Sequence, residues 1–165
     1  MRTDDHSSAP AFTLAGTYKL VSATSKVLDT GETYDTSGKQ PGGYINYTSD
    51  GRMSVLMVAD RNERPAPESG AAISDQQAAA LFRTMVAYGG AYEFDGRTVK
   101  HHIDISWNET WTGTTQIRDV RKDGDQLVFT TPPFASPFDG KMNVATVVWQ
   151  KVDRSAAPAA AGNEA

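Results

Sequence analysis

The sequence predicts an all-β fold, an eight-stranded, antiparallel, up-and-down barrel with one capping α-helix. Short segments in which apolar and polar residues alternate recur along the chain, four Asp-Gly pairs separate several of them, and one segment has helical periodicity. Asp-Gly between alternating segments is typical of a β-hairpin, because both residues tolerate a positive φ. Closure into a barrel is favoured because an open meander would leave two unpaired edge strands. Eight strands enclose just enough space for packed side chains or for one small ligand.

The alternating segments define the predicted strands, because successive side chains of a strand lie on opposite faces. In chain order the strands are 16–25, 43–48, 52–58, 91–94, 98–107, 112–120, 126–131 and 143–151. In 98–107 one face is formed by Val99, His101, Ile103, Ile105 and Trp107. The short connections predict that most strands pair with their neighbours along the chain.

One helix is predicted within the strand-rich region. Ser74-Asp75-Gln76-Gln77 has the pattern of a capping box, in which a Ser hydroxyl and a Gln amide satisfy backbone N–H groups of the first turn. An apolar stripe of helical spacing follows, formed by Ala78, Leu81, Phe82, Met85 and Val86. The pair Gly89-Gly90 is typical of a helix end. We expect this helix to close one mouth of the barrel.

The domain organisation follows from length and composition. A chain of 165 residues with 39% apolar residues is long enough for one packed domain, which we place at 12–152. Residues 1–11 are mostly polar and small, and 153–165 are rich in alanine. Both ends are expected to be disordered tails, since they bury too little apolar surface to offset the entropy of ordering.

Charge and composition argue against several function classes. The net charge of −4 disfavours a surface for nucleic acid or anionic lipid, and no apolar run is long enough to span a membrane. The absence of cysteine excludes disulfides, thiolate metal sites and a cysteine nucleophile. The first residues lack the basic and then apolar layout of a secretory signal. We therefore expect a cytoplasmic protein, either a monomer or a homodimer.

His101 is the sharpest candidate for a functional residue, because it lies on an otherwise apolar strand face between Val99 and Ile103. An imidazole in the barrel lumen could act as an acid, a base or a hydrogen-bonding group. The alternative is a structural histidine bonded to a neighbouring strand. His102 points to the opposite face and is expected to be solvated. Tyr88 is a second candidate, since its phenol could polarise a carbonyl or bond a backbone group.

Other side chains are candidates for the wall of a pocket. Aromatic and methionine side chains provide large, adaptable apolar contact surfaces, although they also fill the core of any barrel. The candidate wall residues are Tyr44, Tyr47, Met53, Met57, Tyr92, Ile103, Trp107 and Trp111.

No cofactor or metal is expected from the motifs. The chain has no G-x-G-x-x-G motif, no Walker loop and no G-x-S-x-G elbow. It has only three histidines, of which one lies in the predicted N-terminal tail and two are adjacent residues of one strand. Adjacent strand residues point to opposite faces and do not converge on one ion.

Several stretches together resemble the bacterial and fungal lipocalin-like domain family. Gly16-Thr17-Tyr18-Lys19-Leu20-Val21-Ser22 is similar to its G-x-[WY]-x-L-x-S opening, with Tyr18 where tryptophan is common. The other matching stretches are 42–54, 87–92, 99–106, 113–118 and 148–151. The resemblance covers about 12–151 and implies a calycin-type β-barrel, in agreement with the predicted meander.

The resemblance also favours an inward orientation of Arg118, which shares a strand face with Gln116. An arginine in a lumen is costly unless it is paired or faces an anionic ligand. Arg118 could then clamp a carboxylate or an enolate through its two-pronged donor geometry. The alternative is a surface arginine paired with a nearby acidic residue.

Three functions remain open at this point. The first is binding of a small apolar or aromatic molecule with one polar end, held by His101 with Arg118 or Gln116. The second is a cofactor-independent isomerase, cyclase or lyase in which His101 moves a proton and Arg118 stabilises developing negative charge. The third is a fully packed barrel that acts as an interaction module.

Overall fold

The computed structural model describes residues 12–136 and 139–153. The predicted tails, 1–11 and 153–165, lie outside the described residues except for Asp153. Within the described ranges, no helix has the length and apolar character required to span a membrane.

Strands dominate the described chain. They are β1 (Gly16–Val27), β2 (Thr33–Asp35), β3 (Gly42–Tyr47), β4 (Arg52–Val58), β5 (Met85–Phe94), β6 (Thr98–Ser106), β7 (Thr115–Asp123), β8 (Gln126–Thr130), β9 (Phe134–Ala135) and β10 (Met142–Lys151). The α-helix, α1, spans Asp75–Arg83, and short 3₁₀ turns lie at Arg61–Glu63 and Gly70–Ala72.

Eight of these strands form a closed antiparallel barrel, which confirms the predicted fold class. Their order is β1-β3-β4-β5-β6-β7-β8-β10, and pairing of β10 with β1 closes the ring. The two remaining strands, β2 and β9, are short additions that pair with β1 and β10. Closure leaves the barrel without a long unpaired edge.

Three of the Asp-Gly pairs form the hairpin turns after β3, β5 and β7. Gly51, Gly96 and Gly124 have φ values of 87°, 96° and 59°. Within the described ranges no residue other than glycine has a positive φ, so only the glycine of each pair uses the left-handed region. The sequence located these turns correctly because glycine adopts that region at little steric cost.

The helix begins as predicted and ends earlier than predicted. The Ser74 hydroxyl accepts from the Gln77 backbone N–H, and the Gln77 side chain accepts from the Ser74 N–H, which completes the capping box. The helix ends at Arg83, and β5 already starts at Met85. The expectation that Gly89-Gly90 ends the helix and that the next strand spans only 91–94 is therefore wrong.

Gly90 lies inside β5 because β6 approaches it too closely for a side chain. A Cβ at this position would overlap the carbonyl oxygen of His102. The same contact accompanies a bulge, since Gly89 pairs with Ile105 while Gly90 pairs with Ile103, leaving Asp104 as an extra residue in β6.

The bulge reverses the faces of the end of β6. His101 and Ile103 are buried, whereas Ile105 is 68% exposed. The prediction that Ile105 and Trp107 share the inward face of His101 is therefore wrong for Ile105, because an extra residue shifts a period-2 pattern by one position. Trp107 lies beyond the end of β6, where its ring packs against Phe82 of α1 with centroids 6.1 Å apart.

One end of the barrel is filled by the segment that precedes β1. Leu14 is 1% exposed and belongs to the same apolar cluster as Val99 and Val120. The ring of Phe12 packs against Phe94 with centroids 5.2 Å apart. Access to the lumen is therefore from the opposite end, which we call the mouth, where β4, β6 and β8 end.

We predict that Gly90→Ala destabilises the protein by about 3 kcal/mol or more, because the new Cβ would force β5 and β6 apart. Chemical denaturation followed by circular dichroism measures this change. Gly70→Ala is the matched control, since nothing lies within 4 Å of a Cβ at that position. Equal stabilities of the two variants would contradict the proposed steric role of the contact.

Candidate functional site

A cavity of about 150 Å³ lies in the lumen. An engineered cavity of similar volume in another protein accommodates benzene. Most of its apolar wall comes from strands β3, β4, β8 and β10. It consists of Ile45, Val55, Met57, Phe129, Val147 and Trp149, together with Val86 of β5 and Trp111. Tyr88, His101 and Arg118 line the other side, from the adjacent strands β5, β6 and β7. The cavity therefore has an apolar side and a polar side.

His101 is the centre of the polar side. It is 1% exposed, and both of its ring nitrogens have a tyrosine hydroxyl as partner. Nε2 lies 2.6 Å from the Tyr47 oxygen, and Nδ1 lies 3.0 Å from the Tyr88 oxygen. Because both nitrogens are engaged, the imidazole is held in one orientation.

Burial keeps this three-residue group neutral. Desolvation, with smaller contributions from Arg118 and His102, lowers the pKa of His101 from 6.5 to about 3. Desolvation also raises the pKa of Tyr47 well above its ordinary value and raises the pKa of Tyr88, although the Arg118 charge opposes both changes. At neutral pH all three side chains are therefore uncharged.

The hydrogen-bonding pattern assigns the imidazole proton to Nδ1. The Tyr47 hydroxyl is buried, and His101 is its only partner within the described ranges. A proton on Nε2 would leave the Tyr47 hydroxyl hydrogen without an acceptor among the described residues, which costs about 1–3 kcal/mol, whereas a proton on Nδ1 leaves that of Tyr88, which lines the cavity and can donate to a molecule there. With the proton on Nδ1, Tyr47 donates to Nε2, and Nδ1–H donates to the Tyr88 oxygen. The hydroxyl hydrogen of Tyr88 then remains available to a further acceptor.

Arg118 is half-buried and has no carboxylate partner among the described residues. Its Nη1 donates to the Ile117 carbonyl at 2.7 Å, and both terminal nitrogens lie 3.4–3.5 Å from the Gln116 Oε1. None of the ion pairs formed within 12–136 and 139–153 includes Arg118. Within the part of the chain that the structure describes, its guanidinium is therefore hydrogen-bonded to neutral oxygen atoms and to no acidic side chain.

A larger cleft lies next to the cavity, at the mouth. This mouth cleft has a volume of about 520 Å³ and shares Trp111 and Arg118 with the inner cavity. Gln116 and the segment Thr131–Phe134 line it as well. The ring of Trp111 packs between Tyr88 and Trp107, with centroid distances of 5.7 and 5.0 Å. Trp111 and Arg118 thus lie at the junction between the mouth cleft and the inner cavity.

These features match a known family. A family model described as a lipocalin-like domain matches residues 15–152. The chain belongs to the lipocalin-like domain family. Comparison with curated proteins gives no match. A lipocalin-like barrel is in general suited to binding small molecules, because eight strands enclose a ligand-sized lumen.

The lipocalin-like barrel brings half of the predicted site residues together. Met57, Tyr88, His101, Trp111 and Arg118 line the inner cavity, and Gln116 lines the mouth cleft. Both Arg118 and Gln116 face the lumen side of β7, as the family resemblance implied.

The other predicted site residues lie deeper in the barrel or on its outer surface. Tyr47, Met53 and Ile103 are buried. Tyr92 packs edge-on against Tyr47, and its hydroxyl donates to the Thr48 carbonyl at 2.9 Å, toward the closed end. Tyr44 lies on the outer face of β3 and is 47% exposed, so it does not line the lumen. Alternation with the buried Ile45 explains its position.

Sequence reasoning missed the apolar wall on β8 and β10. Phe129, Val147 and Trp149 line the inner cavity. The alternation of their strands was visible, but it did not show which face of each strand points inward. Trp149 also has a buried Nε1–H that has no hydrogen-bond partner within the described ranges.

Hydrogen-bond donors lie beside the apolar part of the cavity. Among the described residues, no group of three or more His, Asp or Glu side chains is placed to hold a metal. Arg118, Tyr88 and Trp149 instead supply hydrogen-bond donors around an apolar space.

We predict that His101 makes the folded state less stable as the pH falls from 6.5 toward 3. The unfolded chain binds a proton in this range while the folded chain excludes it, since the folded pKa is about 3. The free energy of unfolding should fall by about 1.4 kcal/mol per pH unit from this group alone.

Denaturation at pH 6.5 and pH 5 measures this decline. His101→Gln should remove about 2 kcal/mol of it, over about 1.5 pH units. His102→Gln is the matched control, because it removes an imidazole from the exposed face of the same strand. The same pH dependence in wild type and His101→Gln would be incompatible with a neutral, buried His101.

Proposed function

We propose that this lipocalin-like protein binds a small apolar or aromatic molecule with one polar end inside its barrel. The observation that carries the proposal is the two-sided inner cavity, in which one wall is aliphatic and aromatic and the other carries Tyr88, His101 and Arg118. Mostly apolar pockets with a few convergent polar groups are typical of small-molecule sites. The apolar wall would bury the body of the ligand, and the polar side would orient its head.

The size of the site supports a ligand of one to a few rings. The inner cavity of about 150 Å³ suits a single ring, and the mouth cleft of about 520 Å³ provides room for a larger body. These spaces also argue against a fully packed barrel that acts only as an interaction module, because such a barrel would have no internal cavity beside its polar cluster.

We predict that the protein binds neutral aromatic and aliphatic alcohols and that a cavity-filling substitution weakens this binding. Titration with a panel of such alcohols should change the tryptophan emission, because Trp111 and Trp149 line the inner cavity. Val147→Phe should lower the affinity by about tenfold or more, since the larger ring occupies the ligand volume.

Val148→Phe is the matched control, because it places the same ring on the opposite face of β10. Circular dichroism verifies that both variants fold. Native mass spectrometry of the protein purified from its own host complements the titration by revealing a retained molecule. No emission change with any alcohol and no retained molecule would overturn the proposal.

The same groups support one second candidate, a cofactor-independent isomerase, cyclase or lyase. The chain of hydrogen bonds from Tyr47 through His101 to Tyr88 favours it, because such a chain can move a proton to or from a ligand. With a pKa of about 3, His101 is a weak base at neutral pH. In this candidate Tyr88 would therefore contact the ligand, and His101 would act through it.

Chemical analysis of the retained ligand distinguishes the two candidates. Under the binding proposal we predict that a ligand identified by native mass spectrometry is recovered unchanged after incubation with the protein. Conversion that Tyr88→Phe abolishes while the affinity stays within about threefold would instead establish the enzyme. Val148→Phe again serves as the control with an intact site.

A further inference from the structure

The walls of the site carry a single formal charge. Among the described residues that line the inner cavity and the mouth cleft, Arg118 is the only Arg or Lys, and none is Asp or Glu. This contrasts with the whole chain, whose net charge is −4. Among the described lining residues the local charge is therefore positive, and a cavity lined by one sign of charge favours a ligand of the opposite sign.

The donors at this site outnumber their acceptors. Arg118 has five N–H donors, whereas the acceptors that it contacts are the Ile117 carbonyl and the Gln116 Oε1. Leaving a half-buried guanidinium without a counter-charge is unfavourable, and a bound anion removes this cost. Guanidinium groups also match the two oxygens of a carboxylate geometrically.

Tyr88 supplies a second donor beside Arg118. The buried Tyr47 hydroxyl orients the imidazole so that Nδ1–H donates to the Tyr88 oxygen. The hydroxyl hydrogen of Tyr88 is then directed to another acceptor, and its ring lines the same cavity as Arg118. His101 is therefore a positioning residue, which acts on the ligand only through Tyr88.

A third donor lies across the cavity. Trp149 is 2% exposed, and its buried Nε1–H has no partner within 12–136 and 139–153. A buried donor of this kind costs about 1–3 kcal/mol when it is left unsatisfied. The Arg118 guanidinium, the Tyr88 hydroxyl and the Trp149 Nε1–H can therefore each donate to an oxygen acceptor.

We propose that the ligand is an organic anion, an apolar or aromatic molecule whose charged oxygen lies against the Arg118 guanidinium and accepts a hydrogen bond from Tyr88. This inference rests on the proposed binding function and names its ligand class. Carboxylates and enolates share the required chemistry, a delocalised negative charge on oxygen attached to an apolar body. A neutral alcohol or amide of the same shape satisfies the donors less completely, because it brings no charge to Arg118.

Isothermal titration calorimetry with 2-naphthoate and 2-naphthamide tests the proposal, because these compounds have the same ring system and differ in the charge of the head. Wild type should bind 2-naphthoate about tenfold or more tightly than 2-naphthamide. Arg118→Gln should reduce this ratio to about one while the affinity for 2-naphthamide stays within about threefold. The retained amide affinity shows that the pocket is intact.

Arg121→Gln is the matched control, since it removes an exposed arginine of the same strand that pairs with Asp123 at 3.3 Å. It should keep the wild-type preference for 2-naphthoate. Equal affinities of the two compounds in wild type, or an equal loss of both in Arg118→Gln, would overturn the anion proposal while leaving the binding function in place. If neither compound and no alcohol bound, the proposed function itself would be wrong.

The role of Tyr88 has its own readout. Tyr88→Phe should weaken 2-naphthoate binding about three- to tenfold and leave 2-naphthamide within about threefold. In ¹⁵N-labelled wild type, the long-range imidazole spectrum should show the His101 proton on Nδ1. A proton on Nε2, together with an unchanged 2-naphthoate affinity in Tyr88→Phe, would remove Tyr88 from the anion site.

Discussion

The approach of β6 to Gly90 is the constraint on which the site depends. No Cβ fits between Gly90 and the His102 carbonyl, so β5 and β6 meet more closely here than two ordinary strands. The extra residue Asp104 is accommodated at the same point, and its carboxylate pairs with Arg52 at 2.7 Å on the outside of the barrel. At this bulge the alternation of β6 shifts by one position, so that His101 and Ile103 before it face inward while Ile105 after it faces the solvent.

The lumen holds a neutral, buried hydrogen-bonded group and, separately, one charged side chain. The Tyr47–His101–Tyr88 group is neutral and satisfies most of its own hydrogen bonds, which lets it remain buried. Arg118 is charged and half-buried at the junction with the mouth cleft, where part of its side chain is exposed to solvent. A protonated His101 buried beside the Arg118 guanidinium would be costly, because like charges in a low-dielectric interior repel strongly. The barrel thus presents one cation at the edge of an otherwise uncharged space.

Much of the fold could be predicted from local sequence, because its signals are local. The capping box at Ser74 and the Asp-Gly turns require only neighbouring residues, and both appear where the sequence placed them. The inward position of His101 followed from simple alternation. That of Arg118 followed from the resemblance to the lipocalin-like domain family, since a run of polar residues on one strand is equally typical of an outer face.

The wrong or missing predictions concern positions whose structure depends on segments that are distant in the sequence. Gly89-Gly90 has the composition of a helix end. Glycine is nevertheless required at position 90 because β6, which follows in the chain, approaches too closely for a side chain. The exposure of Ile105 depends on a bulge that no local pattern indicates. The roles of Phe129, Val147 and Trp149 depend on how β8 and β10 close against β1, and barrel closure is a property of the whole chain.

The plug formed by Phe12 and Leu14 has a consequence for the kinetics of the protein. Because it fills the far end of the barrel, the lumen opens at the mouth, beside Trp111, in the part of the chain that the structure describes. An incoming molecule therefore cannot displace the occupant by pushing it forward, and replacement must wait for spontaneous departure. For a ligand bound as proposed, exchange is then governed by its residence time rather than by the concentration of a competitor.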